Sequence, residues 1–217
     1  GQCVRRLPKA HDQGVTCLAF SRDGTHVLTG SLDATARLHG LKSAKTLREY
    51  RGHTACVNAA LFTTDAGRVV TASSDGTVRV WDARSAECAA TFQPPQATLT
   101  HSAAVSAIAL SPRDADQVVI CNKSTCLYVM TLSGKLVRTI DPGKLNSDFL
   151  GCAVSPKGRF LYCISEDGQL HAIGWDSGSV ERSLQVCDKD PLGVAVHPYQ
   201  NLVATWSSDR RVCLWTA

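Results

Sequence analysis

Serine, histidine and aspartate recur together along this chain. The first chemistry to weigh is therefore acyl transfer, in which a carboxylate orients a histidine that activates a serine. The histidines are His11, His53 and His101, and the aspartates are Asp33, Asp75, Asp167 and Asp209, with serines such as Ser73 nearby in sequence. A catalytic set occurs once in a chain. Here the aspartates lie 42, 92 and 42 residues apart, and 92 is about two spacings. A constellation that repeats with a period belongs to architecture rather than to a reaction. No G-x-S-x-G turn presents a nucleophile, and neither G-x-G-x-x-G nor G-x-x-x-x-G-K-[ST] cradles a phosphate. The histidines lack H-E-x-x-H spacing and the cysteines form no C-x-x-C pair. The reading is no catalysis, no metal and no cofactor.

The period identifies the elements that position these residues. GSLDATARLHG, TASSDGTVRVWD, ISEDGQLHAIG and WSSDRRVCLW each hold a turn carrying Asp and a strand of alternating residues. VVICNKSTCLYVM is the unit skipped by the Asp, with Ser124 in its place. AHDQGVTCLAF, GHTACVNAALF and THSAAVSAIAL each run from a histidine into another strand, followed by turns such as SRDG, TTDAG and SPRDAD. Four short strands per unit of about 40–45 residues, with no long amphipathic helix, predict an all-β propeller. Five blades are expected in one domain over 1–217, at about 11–51, 52–94, 100–141, 144–186 and 187–217. The last set ends at Trp215 without a fourth strand, and residues 2–9 resemble a lone fourth strand. They are expected to complete the last blade and so hide two sheet edges. Beginning on Gly1 without an initiator Met, the sequence reads as a fragment.

Composition excludes several classes. With 44% hydrophobic and 19% charged residues the chain is too apolar to be disordered. It has no apolar run of the ~20 residues a membrane span needs, and its N-terminus has no signal-peptide core. The ten cysteines, including Cys17, Cys152 and Cys213, sit in apolar segments and read as small buried hydrophobes in a reducing compartment. Residues 1–53 hold nine Lys/Arg and four Asp/Glu, a balance of +5, and the remainder balances at −1. The basic residues Arg5, Arg6, Lys9, Arg37, Lys42, Lys45, Arg48 and Arg51 could face RNA backbone or an acidic partner. Tyr50 is the one aromatic close to them, too little for base stacking.

GHTACVNAALFTTDAGRVVTASSDGTVRVWD, with Gly52-His53, Asp75 and Trp81-Asp82, resembles the WD-repeat family. That resemblance implies a hydrogen-bonded set in each blade: His53 and turn amides to Asp75, and the Trp81 indole to Ser73 or Thr71. Its counterparts would be His11 and Asp33, then His101, Asp167, Asp209 and Trp215. The set decays elsewhere. His39 stands at the Trp position of the first blade, Ser124 and Met130 replace Asp and Trp in the third, the fourth has Ile173 and no clear His, and Cys187 stands near the His position of the fifth.

A narrower resemblance runs through GQCVRRLPKAHDQGVTCLAFSRD, HGLKSAK, TASSDGTVRVWDARSAEC and HPYQNLVATWSSDRRVCLW. These segments are similar to the Smu-type WD-repeat splicing factors. The resemblance implies a nuclear, non-catalytic scaffold of the spliceosome whose partners are spliceosomal proteins, among them the RED protein. The family's helical RED-binding region has no counterpart here, and its members carry seven blades. A generic adaptor, such as a ubiquitin-ligase substrate receptor, and a direct RNA binder are the alternatives.

Propellers of this family dock partners where first-strand starts and the turns between second and third strands converge. The strand starts contribute Thr16, Asn58, Ser106, Asp148, Leu150, Asp190 and Leu192, and the turns contribute Leu32, Ser74, Lys123, Glu166 and Ser208. Asp148, Glu166 and Asp190 form an acidic sector suited to a basic peptide. Trp206 replaces the small Gly30 and Ala72 of other blades, and is either a docking anchor or a wedge in the core. Trp175 is expected on the rim, as an anchor or a cover for the blade edge.

Overall fold

Alternating apolar and polar residues, cut every few positions by Gly, Asp or Pro, favour short antiparallel strands. The computed structural model describes residues 2–95, 104–143, 145, 147–188 and 190–216, and none of these is helical. The first blade is β1 (Val15–Phe20), β2 (His26–Ser31), β3 (Ala36–Gly40) and β4 (Lys45–Tyr50). The second is β5 (Val57–Phe62), β6 (Arg68–Ser73), β7 (Val78–Asp82) and β8 (Cys88–Phe92). The third is β9 (Ala107–Leu110), β10 (Gln117–Cys121), β11 (Leu127–Thr131) and β12 (Leu136–Ile140). The fourth is β13 (Phe149–Val154), β14 (Phe160–Ser165), β15 (Gln169–Gly174) and β16 (Val180–Gln185), and the fifth is β17 (Pro191–Val196), β18 (Leu202–Ser207) and β19 (Val212–Thr216). Each blade is an antiparallel meander in sequence order, and together they are the five blades of a β-propeller.

The chain forms two compact units, residues 1–93 with the first two blades and residues 94–217 with the other three. In both, the second strand of a four-stranded blade is buried almost throughout, as in β2, β6, β10 and β14. Covered on both faces, these strands read as near-continuous apolar or small runs. The outer strands β4 and β16 are exposed and charged, which protects their edges. In the first unit Leu28, Tyr50, Val69 and Trp81 form the core, with the Tyr50 and Trp81 rings 5.8 Å apart. Burying each of these side chains contributes about 1.5–3 kcal/mol. In the second unit Phe149 packs with Leu127, Ile140, Leu161 and Ile173, and a second cluster joins Tyr162, Leu170 and Val203 to Trp215.

All ten cysteines are free. Burial pushes the Cys121 thiol up to about 11, and Cys152 and Cys163 rise well above their ordinary value for the same reason. These three behave as inert small hydrophobes. Cys3 and Cys88 are exposed, against the expectation of general burial.

Residues 2–7 form no strand, so the fourth strand expected of them is absent, and among the described residues the last blade has β17, β18 and β19. Val4 is 90% exposed, so the β-branched residue of the segment gains no packing there.

Irregularities in the ladders recur in register. The β1–β2 pairing jumps between Val15 and Cys17, β5–β6 between Val57 and Ala59, β13–β14 between Phe149 and Gly151, and β17–β18 between Pro191 and Gly193. One extra residue therefore enters the start of the first strand in four blades. A bulge of this kind strengthens the local twist and aims its extra side chain out of the ladder.

Candidate functional site

The second blade holds the complete hydrogen-bonded set. The Trp81 indole Nε1–H donates to Thr71 Oγ1 at 2.8 Å. An indole only donates, so the Thr71 hydroxyl proton is left to donate to His53 Nε2, 2.7 Å away. His53 is then neutral with its proton on Nδ1, which donates to Asp75 Oδ2 at 2.9 Å. Burial pushes the His53 pKa down, consistent with a neutral ring, although Asp75 pulls it the other way. Burial also opposes ionisation of Asp75. Hydrogen bonds from Thr77, the Thr54 amide and His53 outweigh it and hold the carboxyl at about 2. Ser73, a candidate for the indole, instead donates to Ala55 O at 3.0 Å and accepts from Asp75 N at 3.1 Å, closing the turn.

The first blade repeats the set with one exchange. His39 Nε2 lies 2.9 Å from Thr29 Oγ1, and Thr29 Oγ1 lies 2.7 Å from His11 Nε2. His11 Nδ1 reaches Asp33 Oδ2 at 2.9 Å. If His39 carries its proton on Nε2, it donates to Thr29 as the indole does in the second blade. Its Nδ1 is then free to accept from the Thr46 hydroxyl at 3.1 Å. Burial lowers the His39 pKa and keeps the ring neutral, as this role requires. His39 thus replaces Trp as a donor, not merely as a filler. For Asp33, burial is overcome by bonds from Thr35, His11 and the Asp12 amide, which keep the carboxyl well below the usual range.

The other blades depart further. His101 lies outside the described residues. In the third blade Ser124 accepts from Cys126 N and donates to Asn122 Oδ1 at 2.8 Å, pinning the turn without a carboxylate. The fourth blade, in which no His is evident from the repeat, has one on a different strand. His171 Nε2 lies 3.0 Å from Ser165 Oγ, Ser165 Oγ 2.5 Å from Asp167 Oδ1, and His171 Nδ1 2.8 Å from Ser183 Oγ. The missed signal is the Ser165, His171 and Ser183 trio, spread over three strands. In the fifth blade Trp215 Nε1–H donates to Thr205 Oγ1 at 2.8 Å and Ser207 Oγ–H to Asp209 at 2.5 Å. These sets are spent on internal bonds and their hydroxyls Thr29, Thr71 and Ser165 are buried, so they hold register.

The candidate docking residues are brought together at one end of each blade. The extra residues of the four bulges are Thr16, Asn58, Leu150 and Leu192, all named from sequence as strand starts. The turns latch onto the same ends: Leu32 N donates to Gly14 O, Ser74 N to Cys56 O, Glu166 N to Asp148 O and Ser208 N to Asp190 O, at 2.9–3.0 Å. Asn58 and Ser74 also join through Nδ2 and Oγ at 2.9 Å. The Thr16 hydroxyl donates to Val57 O, tying the first two blades. The third blade differs. Ser106 lies outside a bulge and binds Cys121 O, and Lys123 adopts a positive φ of 51° in its turn.

On the fourth and fifth blades Glu166 and Asp190 are exposed and Asp148 is half-buried. Leu192 is 61% exposed and Val212 72%. Trp206 settles between its two readings: its ring lies against Gly193, where an added Cβ would come within 2.3 Å of Cζ2, yet 37% of the residue stays exposed. Trp175 is no anchor. It is buried in the core, with the Arg113 guanidinium 5.5 Å from its ring and Arg138 donating to its carbonyl at 2.7 Å.

Several basic candidates for RNA are engaged within the first unit. Arg37 pairs with Glu49 at 2.8 Å, Arg51 pairs with Glu49 at 3.0 Å, and Arg48 donates to the carbonyls of Arg84 and Leu47. Tyr50 is fully buried and donates to Ala83 O, so it has no face to offer a base.

Comparison with known proteins agrees with this geometry. Residues 1–39 and 44–82 match the repeat described as WD domain, G-beta repeat. The chain is 35% identical to WD40 repeat-containing protein smu1 of Dictyostelium discoideum over 166 residues, 76% of this chain and 31% of smu1. It is 37% identical to Mitochondrial division protein 1 of Kluyveromyces lactis over 59 residues, 27% of this chain and 8% of that protein. The match to smu1 thus spans less than a third of that relative's length. With its two matched WD repeats, its five meander blades and the His–Thr–Trp pin of its second blade, the chain belongs to the WD-repeat β-propeller proteins.

Proposed function

We propose that this chain is a non-catalytic protein-docking scaffold of the pre-mRNA splicing machinery, acting in the nucleus on spliceosomal proteins, a RED-type partner among them. The observation that carries the docking reading is the end of the fourth and fifth blades. There the exposed side chains of Leu192, Trp206 and Val212 share the blade ends with the exposed carboxylates Glu166 and Asp190. Apolar side chains with a polar rim are the anatomy of a hot spot. Their chemistry suits a basic peptide with an apolar anchor. The splicing assignment rests on the likeness to smu1 and to Smu-type splicing factors. The non-catalytic reading is supported by the buried, internally satisfied state of the His–Ser/Thr–Asp sets.

The test is affinity purification of the tagged natural protein from nuclear extract, followed by mass spectrometry. Enrichment of spliceosomal proteins is expected. Enrichment of ubiquitin-ligase subunits in their place would move the scaffold to another machinery. RNA-dependent capture that collapses with salt would replace protein docking by RNA binding.

A further inference from the structure

The first unit has a second feature that the docking face does not use. Between the first and second blades, at the end away from the turns that join second to third strands, lies a groove of about 700 Å³. Its floor is apolar, formed by Leu38 of β3, Leu47 of β4, and Phe62 at the end of β5. Leu47 is 38% exposed, so the floor is open to a visitor. Three arginines stand at the rim: Arg22 from the β1–β2 turn, Arg48 from β4 and Arg84 from the β7–β8 turn. Arg48 is fixed there, with Nε donating to Arg84 O at 2.5 Å and Nη1 to Leu47 O at 2.7 Å. All three are exposed.

Among the lining residues Asp23 is the one carboxylate. Asp23 accepts from Ser21 Oγ at 2.6 Å, Thr25 Oγ1 at 2.7 Å and Thr25 N at 3.1 Å, so its own turn satisfies it. Asp82, beside the lining residues Ala83 and Arg84, is likewise occupied, accepting from the Arg84 and Ser85 amides at 2.9 and 2.7 Å, so the free donors over the apolar floor are guanidinium groups. A small anion would waste the floor, and RNA would find two rings among the lining residues, Phe62 and His26, of which Phe62 belongs to the apolar floor. A peptide with an apolar side chain flanked by carboxylates satisfies both parts.

We propose that this groove docks an acidic segment of a partner protein, with an apolar side chain seated on Leu47 and Phe62 and carboxylates held by Arg22 and Arg84. The inference shares the protein-docking reading but uses the other end of the blades. It can fail while the acidic, Trp206-bearing face stands, and the reverse also holds.

The test measures fluorescence anisotropy of the full chain with labelled peptides of about ten residues, in which Leu and Phe at varied spacing are embedded in glutamates. Binding is expected for at least one spacing. Gln in place of Glu, and the double variant R22E/R84E, should each weaken it roughly tenfold, as expected when two exposed attractions become repulsions. Leu47→Asp should abolish it, and D148K/E166K/D190K should leave it unchanged. Three results overturn the proposal: no acidic peptide binds, the Gln peptides bind equally well, or R22E/R84E retains affinity within about twofold. Should R22E/R84E melt well below the wild type, the Glu-to-Gln comparison on the unaltered chain decides. Polyuridine RNA that binds the groove more tightly than every peptide would also overturn it.

Discussion

Replacing Thr71 by Val tests whether the His–Thr–Trp set holds the blade. The side chains are nearly isosteric, so the change removes the hydroxyl and little volume. Thr71 Oγ1 accepts from Trp81 Nε1 at 2.8 Å and donates to His53 Nε2 at 2.7 Å. Trp81, Thr71 and His53 are all buried, so water does not readily replace the lost partner. One donor and one acceptor are orphaned at about 1–3 kcal/mol each, a loss of about 2–6 kcal/mol in all. That is a large part of the ~5–15 kcal/mol a domain of this size possesses. Thr71→Ser keeps the hydroxyl and loses one methyl, and should cost about 1 kcal/mol. Urea unfolding followed by circular dichroism and by tryptophan emission measures both, Trp81 being the one of the four tryptophans that lies in residues 1–93. A loss below about 1 kcal/mol for Thr71→Val, or equal losses for Ser and Val, would refute the assignment.

Further outcomes follow from the same geometry. His39→Phe should destabilise the first unit by about 1–3 kcal/mol by removing the donor to Thr29, and His39→Trp should recover part of that, both read from urea midpoints. Burial depresses the pKa of His39, His53 and His171 below the ordinary 6.5, so unfolded chains take up protons before folded ones. Stability is then complete above pH 6.5 and falls as the pH drops below it. A melting temperature flat between about pH 7 and pH 5 would contradict this. Asp75, held at about 2 against an ordinary 3.8, contributes stability that is present above 3.8 and lost as the pH falls toward 2, and Asp75→Asn should blunt that acid limb of the melting curve. Gly193→Ala places a methyl group against the Trp206 ring and should shift tryptophan emission to the red at a cost of about 1–3 kcal/mol, an unchanged spectrum showing that the ring does not rest there.

Much of this fold is legible in the sequence because the blade repeat writes the same turn chemistry several times. Asp33, Asp75 and Asp209 mark their turns, and the buried second strands are continuous apolar runs. What is not legible depends on neighbours distant in sequence. His39 departs visibly from the repeat, but its role as an indole substitute depends on Thr29 and Thr46, which lie on two other strands. His171 escaped notice because its partners Ser165 and Ser183 lie on the strands flanking its own. Trp175 looks like a rim residue from its turn, and Arg113 and Arg138 cover it from distant positions. Residues 2–8 match the pattern of a fourth strand, yet residues 2–7 form none, and the pattern alone does not specify a partner. Thr16, Asn58, Leu150 and Leu192 are legible as strand starts, whereas the bulges that hold them are a property of register.

The most direct test of the docking account is quantitative partner capture from nuclear extract by the wild-type chain, by D148K/E166K/D190K and Trp206→Ala, and by the outer-strand control R182E. The account predicts that wild type and R182E recover the same spliceosomal proteins and that both face variants lose them, with D148K/E166K/D190K melting like the wild type. Undiminished capture by the face variants would contradict it.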